Sequence, residues 1–292
     1  MTKGIPQASE PCLFAGFRKP FEASKYIVFG VPFDSTVTYK PGQRFAPASV
    51  RAASAQLETM SLRFGIDLED VGIFDLGDVG VSLNIEETLR STMEAVEQII
   101  SSGKTPVCIG GEHTVTMGVL QGMKGCDSLL VFDAHLDLRD IFMGLRLCHA
   151  SWLRRTIDSK LAKRALVIGA RGFCKEELEY ASGRVEYLTP LDLRSGKGAA
   201  ILDSFMKEAR RLYISVDVDV FDPAYAPGVG NPEPDGLGVS EVYSLFEAIR
   251  PSGIVGFDVV EVCPPFDLGI TSSLAGKTIF ELISLCESGS RS

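Results

Sequence analysis

The chain has 292 residues, of which 45% are hydrophobic, enough for one large or two ordinary domains with a substantial core. Its formal net charge of −9 argues against nucleic acid and anionic membrane surfaces as partners, and is compatible with a cationic substrate. No apolar run approaches the about 18 residues of a membrane span, and Met1–Glu10 is polar without a signal-peptide pattern, so a cytoplasmic protein is expected. The seven cysteines are an odd number with no C-x-x-C spacing. Cys108, inside the apolar run PVCIGG, reads as a buried thiol.

Residues 1–24 are rich in Pro and Gly and predict an irregular segment. YIVFGV (26–31) predicts the first strand, and the polar loop PFDSTVTYKPGQRFAP (32–47) is too long for a simple connection. Pro47 suits the first turn of a helix running to about Leu57. A second strand is expected at 71–75, then a helix to about Ile100 capped by Asn84, with Glu87 in its first turn. Further strands are predicted at 105–109, 128–133, 165–170, 185–188, 212–217 and 254–260. Helices are predicted at 114–123, near 148–157, near 175–181, near 198–210, from a Ser240 cap to Ile249, and near 272–286. About eight strands alternating with helices predict an α/β fold with a parallel sheet covered by helices. An open doubly wound sheet and an eight-stranded barrel both fit the pattern, and both put chemistry at the carboxyl ends of strands.

The chemistry concentrates in LLVFDAHLDLRD (129–140). Its apolar half does not alternate, as expected of a strand buried on both faces. Asp133, His135 and Asp137 follow at every second position, which in extended chain aims them the same way. Buried carboxylates need a cation, a proton or a basic partner. Other strand ends supply His113 in GGEHT (110–114), Asp217 and Asp219 in ISVDVDVFD, and Asp258 and Glu261 in GFDVVEVCPP. A calcium loop starting at Asp217 is excluded, because the sixth position is not Gly and the twelfth is not Glu. Four carboxylates and two imidazoles over-supply one ion but suit two that share ligands. An oxygen-rich set with imidazole and no thiolate favours Mn(II).

At these residues the chain resembles the ureohydrolase family of arginases and agmatinases, and most of all its archaeal-type agmatinase branch. GGEHT, DAHLD (133–137) and SVDVDVFDPAYAPGVGNPEP (215–234) correspond to the family's three signature blocks. The resemblance begins at GVPFDSTVTYKPGQRFAP (30–47) and extends to GFDVVEVCPPFDLGITSSLAGK (256–277). It implies a single catalytic domain over 1–292, with an open three-layer α/β/α sheet of about eight mainly parallel strands. It also implies two Mn(2+) per subunit. His113, Asp133, Asp137 and Asp217 would hold one ion, and His135, Asp219, Asp133 and Asp217 the other. His149 in LCHAS (147–151) matches the family's proton-shuttling histidine, and Glu261 the acid that contacts the guanidinium. Asp137 would pass a proton to the leaving amine.

The reaction so implied is hydrolysis of agmatine to urea and putrescine, by a hydroxide shared between the ions, in a cytoplasmic trimer or hexamer. General acid–base help alone supplies about 3–5 kcal/mol, against the roughly 8–23 kcal/mol enzymes typically provide, so such a nucleophile is needed. Three departures are visible. Thr114 replaces the usual Ser of the first block, Asp235 stands where Gly is usual, and Arg139 stands where arginases carry an Asn, which counts against an α-amino-acid substrate. Other readings are arginine, guanidinobutyrate or formiminoglutamate as substrate, a single-zinc deacetylase-like hydrolase, and a catalytically silent oligomeric partner.

Overall fold

The computed structural model describes residues 12–289, so Met1–Glu10 lies outside them. The described strands are β1 (Tyr26–Val31), β2 (Met60–Ser61), β3 (Ile66–Asp67), β4 (Ile73–Asp78), β5 (Thr105–Gly110), β6 (Cys126–Phe132), β7 (Ala162–Ile168), β8 (Glu186–Leu188), β9 (Leu212–Asp217) and β10 (Ile254–Val260). The α-helices are α1 (Ala46–Ser54), α2 (Ile85–Ser101), α3 (Val115–Gly122), α4 (Trp152–Asp158), α5 (Lys175–Ala181), α6 (Pro190–Arg194), α7 (Lys197–Glu208), α8 (Val239–Glu247) and α9 (Ile270–Ser288). Residues 12–24 carry two short 3-10 turns.

Eight strands form one sheet in the order β4–β1–β5–β10–β9–β6–β7–β8, with parallel pairing throughout. The order has two ends, so the sheet is open and the barrel alternative is excluded. Successive strand residues feed opposite cores. Tyr26 and Val28 of β1, with Leu130 and Phe132 of β6, pack under α1, α7, α8 and α9. Ile27 and Phe29, with Leu129 and Val131, pack under α2, α3, α4 and α5. Both faces are therefore apolar, which is why these strands read as unbroken hydrophobic runs.

Several boundaries differ from the sequence expectation. The second predicted strand starts at Ile73 instead of Val71, because Val71 closes a 3-10 turn by donating to the Leu68 carbonyl at 3.1 Å. Ser240 does not cap α8. Gly238 is the N-cap, and its N–H donates to Glu241 Oε2 at 2.6 Å, leaving Ser240 inside the first turn. The helix near 148–157 begins with a 3-10 turn at His149–Ser151 and becomes α-helical at Trp152. The β2–β3 hairpin and α6 were not predicted. Each is too short to show a period. The Asn84 cap is as expected, with its Oδ1 accepting from Glu86 N–H at 2.9 Å.

At the β4 edge, Arg51 of α1 is buried against two carboxylates. Its Nε and one terminal nitrogen donate to Asp75 at 2.7 and 3.0 Å, and the other reaches Asp78 at 2.5 Å. At the sheet centre, the chain leaves β5 for β6 and returns later to insert β9 and β10 between them. Such a reversal opens a crevice beyond the carboxyl ends of the strands. Among the described residues no helix is long and apolar enough to cross a membrane.

Candidate metal centre

The carboxyl ends of β5, β10, β9 and β6 are neighbours, and each delivers part of one cluster. After β5, the backbone turns at Gly111, where an added Cβ would lie 2.0 Å from the Phe33 carbonyl oxygen, so only glycine fits. His113 follows and is buried. Its Nδ1 lies 3.0 Å from Asp133 Oδ2, 3.3 Å from Asp217 Oδ2 and 3.6 Å from Asp137 Oδ2. His135 Nδ1 lies 2.8 Å from Asp219 Oδ2 and 3.6 Å from Asp133 Oδ1. His113, Asp133 and Asp137 thus offer one convergent set of ligand atoms, and Asp133, His135 and Asp219 another, with Asp133 in both. Asp217 joins the His113 side through Oδ2, while its Oδ1 accepts from Asp219 N–H at 2.8 Å. Asp133 Oδ1 likewise accepts from His135 N–H at 2.6 Å, and Asp219 Oδ1 from Ala134 N–H at 2.9 Å. These bonds from the local backbone fix the carboxylates before any ligand arrives.

The donor set fits cations. His113 Nε2 lies 2.8 Å from Ser215 Oγ, and that hydroxyl gives its proton to Asp258 Oδ1 at 2.5 Å. Ser215 therefore accepts from His113, which leaves Nδ1 as a bare lone pair facing three carboxylate oxygens. Nδ1 is buried without a hydrogen bond. Lone pairs converging on one point need a positive charge between them. The shifts of the acid groups say the same. Burial first, then neighbouring acids, pushes Asp137 and Asp217 well above the carboxylate range. Burial also opposes ionisation of Asp133, but the imidazoles of His113 and His135 beside it outweigh burial and hold Asp133 low.

Around this centre stand groups suited to proton handling and cation binding. Asp137 sits at φ 51°, an uncommon conformation for a residue with a side chain, and its Oδ2 accepts from Trp152 Nε1–H at 2.8 Å. The same indole stacks on His113 at 4.3 Å between ring centres. His149 N–H donates to Thr36 Oγ1 at 3.1 Å, and that hydroxyl donates to Glu112 Oε1 at 2.5 Å, tying the 32–47 loop to the first signature block. Burial pushes the His149 imidazole down to about 4, so it is neutral near pH 7. Glu261, at φ 66°, is buried, and burial pushes it up to about 8, with Glu112 and Asp219 adding to the rise. A cavity of about 510 Å³ joins these groups, and its walls include His135, Asp137, His149, Arg139, Glu233 and Glu261.

The eight residues given a metal, catalytic or substrate role in the sequence reading meet here, and Asp258 stands behind them through Ser215. Residues that the sequence reading passed over are Trp152, Glu112, Thr36, Gln43, Ser215 and Glu233. Ser215 carried a signal, being a polar residue inside an apolar strand; the structure sets it beside Asp258. Trp152 carried another as the single tryptophan, three residues after His149. Asp235 has φ 60°, so the departure from Gly is accommodated in a left-handed turn that Asp tolerates.

A profile of the arginase family matches residues 24–284. The chain is similar to an agmatinase of Pyrococcus horikoshii, 35% identical over 89% of this chain and 91% of that one. It is also similar to a human mitochondrial guanidino acid hydrolase, 37% identical over 87% of this chain and 76% of that one. The solved structure of an agmatine ureohydrolase from Thermoplasma volcanium superposes with a TM-score of 0.90 at 36% identity, covering 98% of this chain and 97% of that one.

Proposed function

The chain belongs to the arginase family, and from that premise we propose that it is an agmatinase-type amidinohydrolase, which hydrolyses agmatine to urea and putrescine. The observation that carries this is the meeting of two imidazoles and four aspartates with a buried glutamate at four adjacent strand ends. The agmatinases and agmatine ureohydrolase it resembles over most of its length support the choice of substrate.

We assign two Mn(2+) ions to the ligands. His113, Asp133, Asp137 and Asp217 would hold one, and His135, Asp219, Asp133 and Asp217 the other. Two divalent cations so held would lower the pKa of a water, the chemistry that an unreactive, resonance-stabilised guanidinium requires near neutral pH. Glu261 holds the guanidinium by charge-assisted hydrogen bonds. The positive charge of the substrate would favour the ionised form of Glu261 that burial opposes. Asp137 takes the nucleophile's proton and passes it to the leaving amine, with Trp152 fixing its orientation from behind. His149, neutral and on the cavity wall, exchanges protons between the site and solvent.

Purification with Mn(2+), followed by urea detection with agmatine, arginine and 4-guanidinobutyrate, tests the reading. Agmatine is expected to be the best of the three, and absence of urea from every guanidino compound overturns it. A guanidino acid is the second reading. Arg139 stands on the cavity wall, although Glu177 Oε2 is 3.3 Å from its Nε and balances its charge. Preference for guanidinobutyrate in the same panel would favour it. We further infer a cytoplasmic homo-oligomer, trimer or hexamer, whose contacts would cover exposed apolar side chains such as Met143 and Leu268. Light scattering on the purified protein checks this.

A further inference from the structure

The geometry points to Gln43 as a positioning residue for the substrate-binding carboxylate of Glu261, a role resting on the assignment of Glu261 above. Gln43 is fully buried and its Nε2 donates to Glu261 Oε2 at 3.0 Å. The other oxygen, Oε1, accepts from His113 N–H at 2.7 Å. Each carboxylate oxygen is thus held by a neutral donor, from elements far apart in the chain, and the backbone of Glu261 is itself in a left-handed conformation. A carboxylate with both oxygens held and φ at 66° has little freedom to turn.

Gln43 is built into this place at a cost. Its own Oε1 is buried without a partner. Reversing the amide would set that oxygen against Glu261 in the ionised form that binds a cation. The surroundings make room for the amide. Gly230 passes so close that a Cβ there would lie 2.2 Å from Gln43 Nε2. The loop is anchored on both sides of Gln43, with Gly42 N–H and Arg44 N–H donating to Asp34 Oδ2 at 3.0 and 3.3 Å. A side chain retained for packing alone needs no amide here. Methionine would fill the same volume without an unpaired amide oxygen, and would give up only the bond to Glu261.

Gln43→Met makes the test, because it keeps the volume and removes both the donor and the unpaired oxygen. With the Mn(2+)-loaded enzyme and agmatine, KM is expected to rise about 10- to 100-fold, the effect of losing one hydrogen bond to a charged group. The change in kcat should be smaller, because Glu261 grips ground state and transition state alike. Metal content and Tm should not fall. A crystal structure of the variant should show the Glu261 carboxylate turned from its place, a readout that does not depend on which guanidino compound is hydrolysed. If the wild type releases no urea from any of them, the proposed function fails while the crystal structure still judges Gln43. An unmoved carboxylate, or a wild-type KM in the variant, overturns the proposal.

Discussion

Two charge clusters, one at the β4 edge and one at the sheet centre, differ in what balances them. At the edge, Arg51 lies between Asp75 and Asp78, and a cation is part of the chain. At the centre, Asp133, Asp137, Asp217 and Asp219 surround two imidazoles, one of which turns a lone pair toward the acids. Among their described contacts no Lys or Arg neutralises these four. The edge cluster is complete as folded and serves stability. The central one lacks a cation of its own, as the proposed metal centre requires. A buried acid thus points to function when the positive charge it needs is missing from its own surroundings.

The sharpest way to break this comparison is to remove one acid or base from each cluster. Asp133→Asn should lower urea release by about a thousandfold or more, because the shared ligand and the nucleophile it supports go together, and bound metal should fall in parallel. Full activity with two ions retained would contradict the assignment. Arg51→Met leaves Asp75 buried and unpaired, so unfolding free energy should drop by about 3–5 kcal/mol in a denaturant titration, with turnover per folded molecule unchanged. Reduced metal content in that variant would show that the clusters are not separate.

A smaller effect separates proton handling from metal binding. His149→Asn should cost about a hundredfold in kcat, the scale of general acid–base help, while elemental analysis still finds a full complement of metal. Smaller again is a pH effect on stability. His149 is depressed from its ordinary 6.5 to about 4 by burial, so the folded chain refuses a proton that the unfolded chain takes. Its contribution is complete above about pH 6.5 and is lost as pH falls toward 4. Wild type should therefore lose stability over that window relative to His149→Asn. Parallel curves would place His149 in solvent.

The same contrast explains what the sequence could disclose. Asp133, His135 and Asp137 were legible because their spacing and the strand before them are local. His113 and the Asp217–Asp219 pair were legible because each follows an apolar run. The strand order was not, since nothing local states that β9 and β10 insert between β5 and β6. Nor was the hydrogen bond of Gln43 to Glu261, which joins residues 218 apart in the chain. The left-handed backbone at Asp137 and Glu261 was also hidden, because neither residue type demands it. Arg51 was overlooked for a related reason. A lone arginine in a helix looks solvated until the strand it faces is known.

The central claim is most directly tested by anomalous X-ray diffraction from crystals grown with Mn(2+). Two peaks are predicted, one among His113, Asp133, Asp137 and Asp217, the other among His135, Asp133, Asp219 and Asp217. A single peak, or none at these strand ends in a protein that still releases urea, would contradict the account.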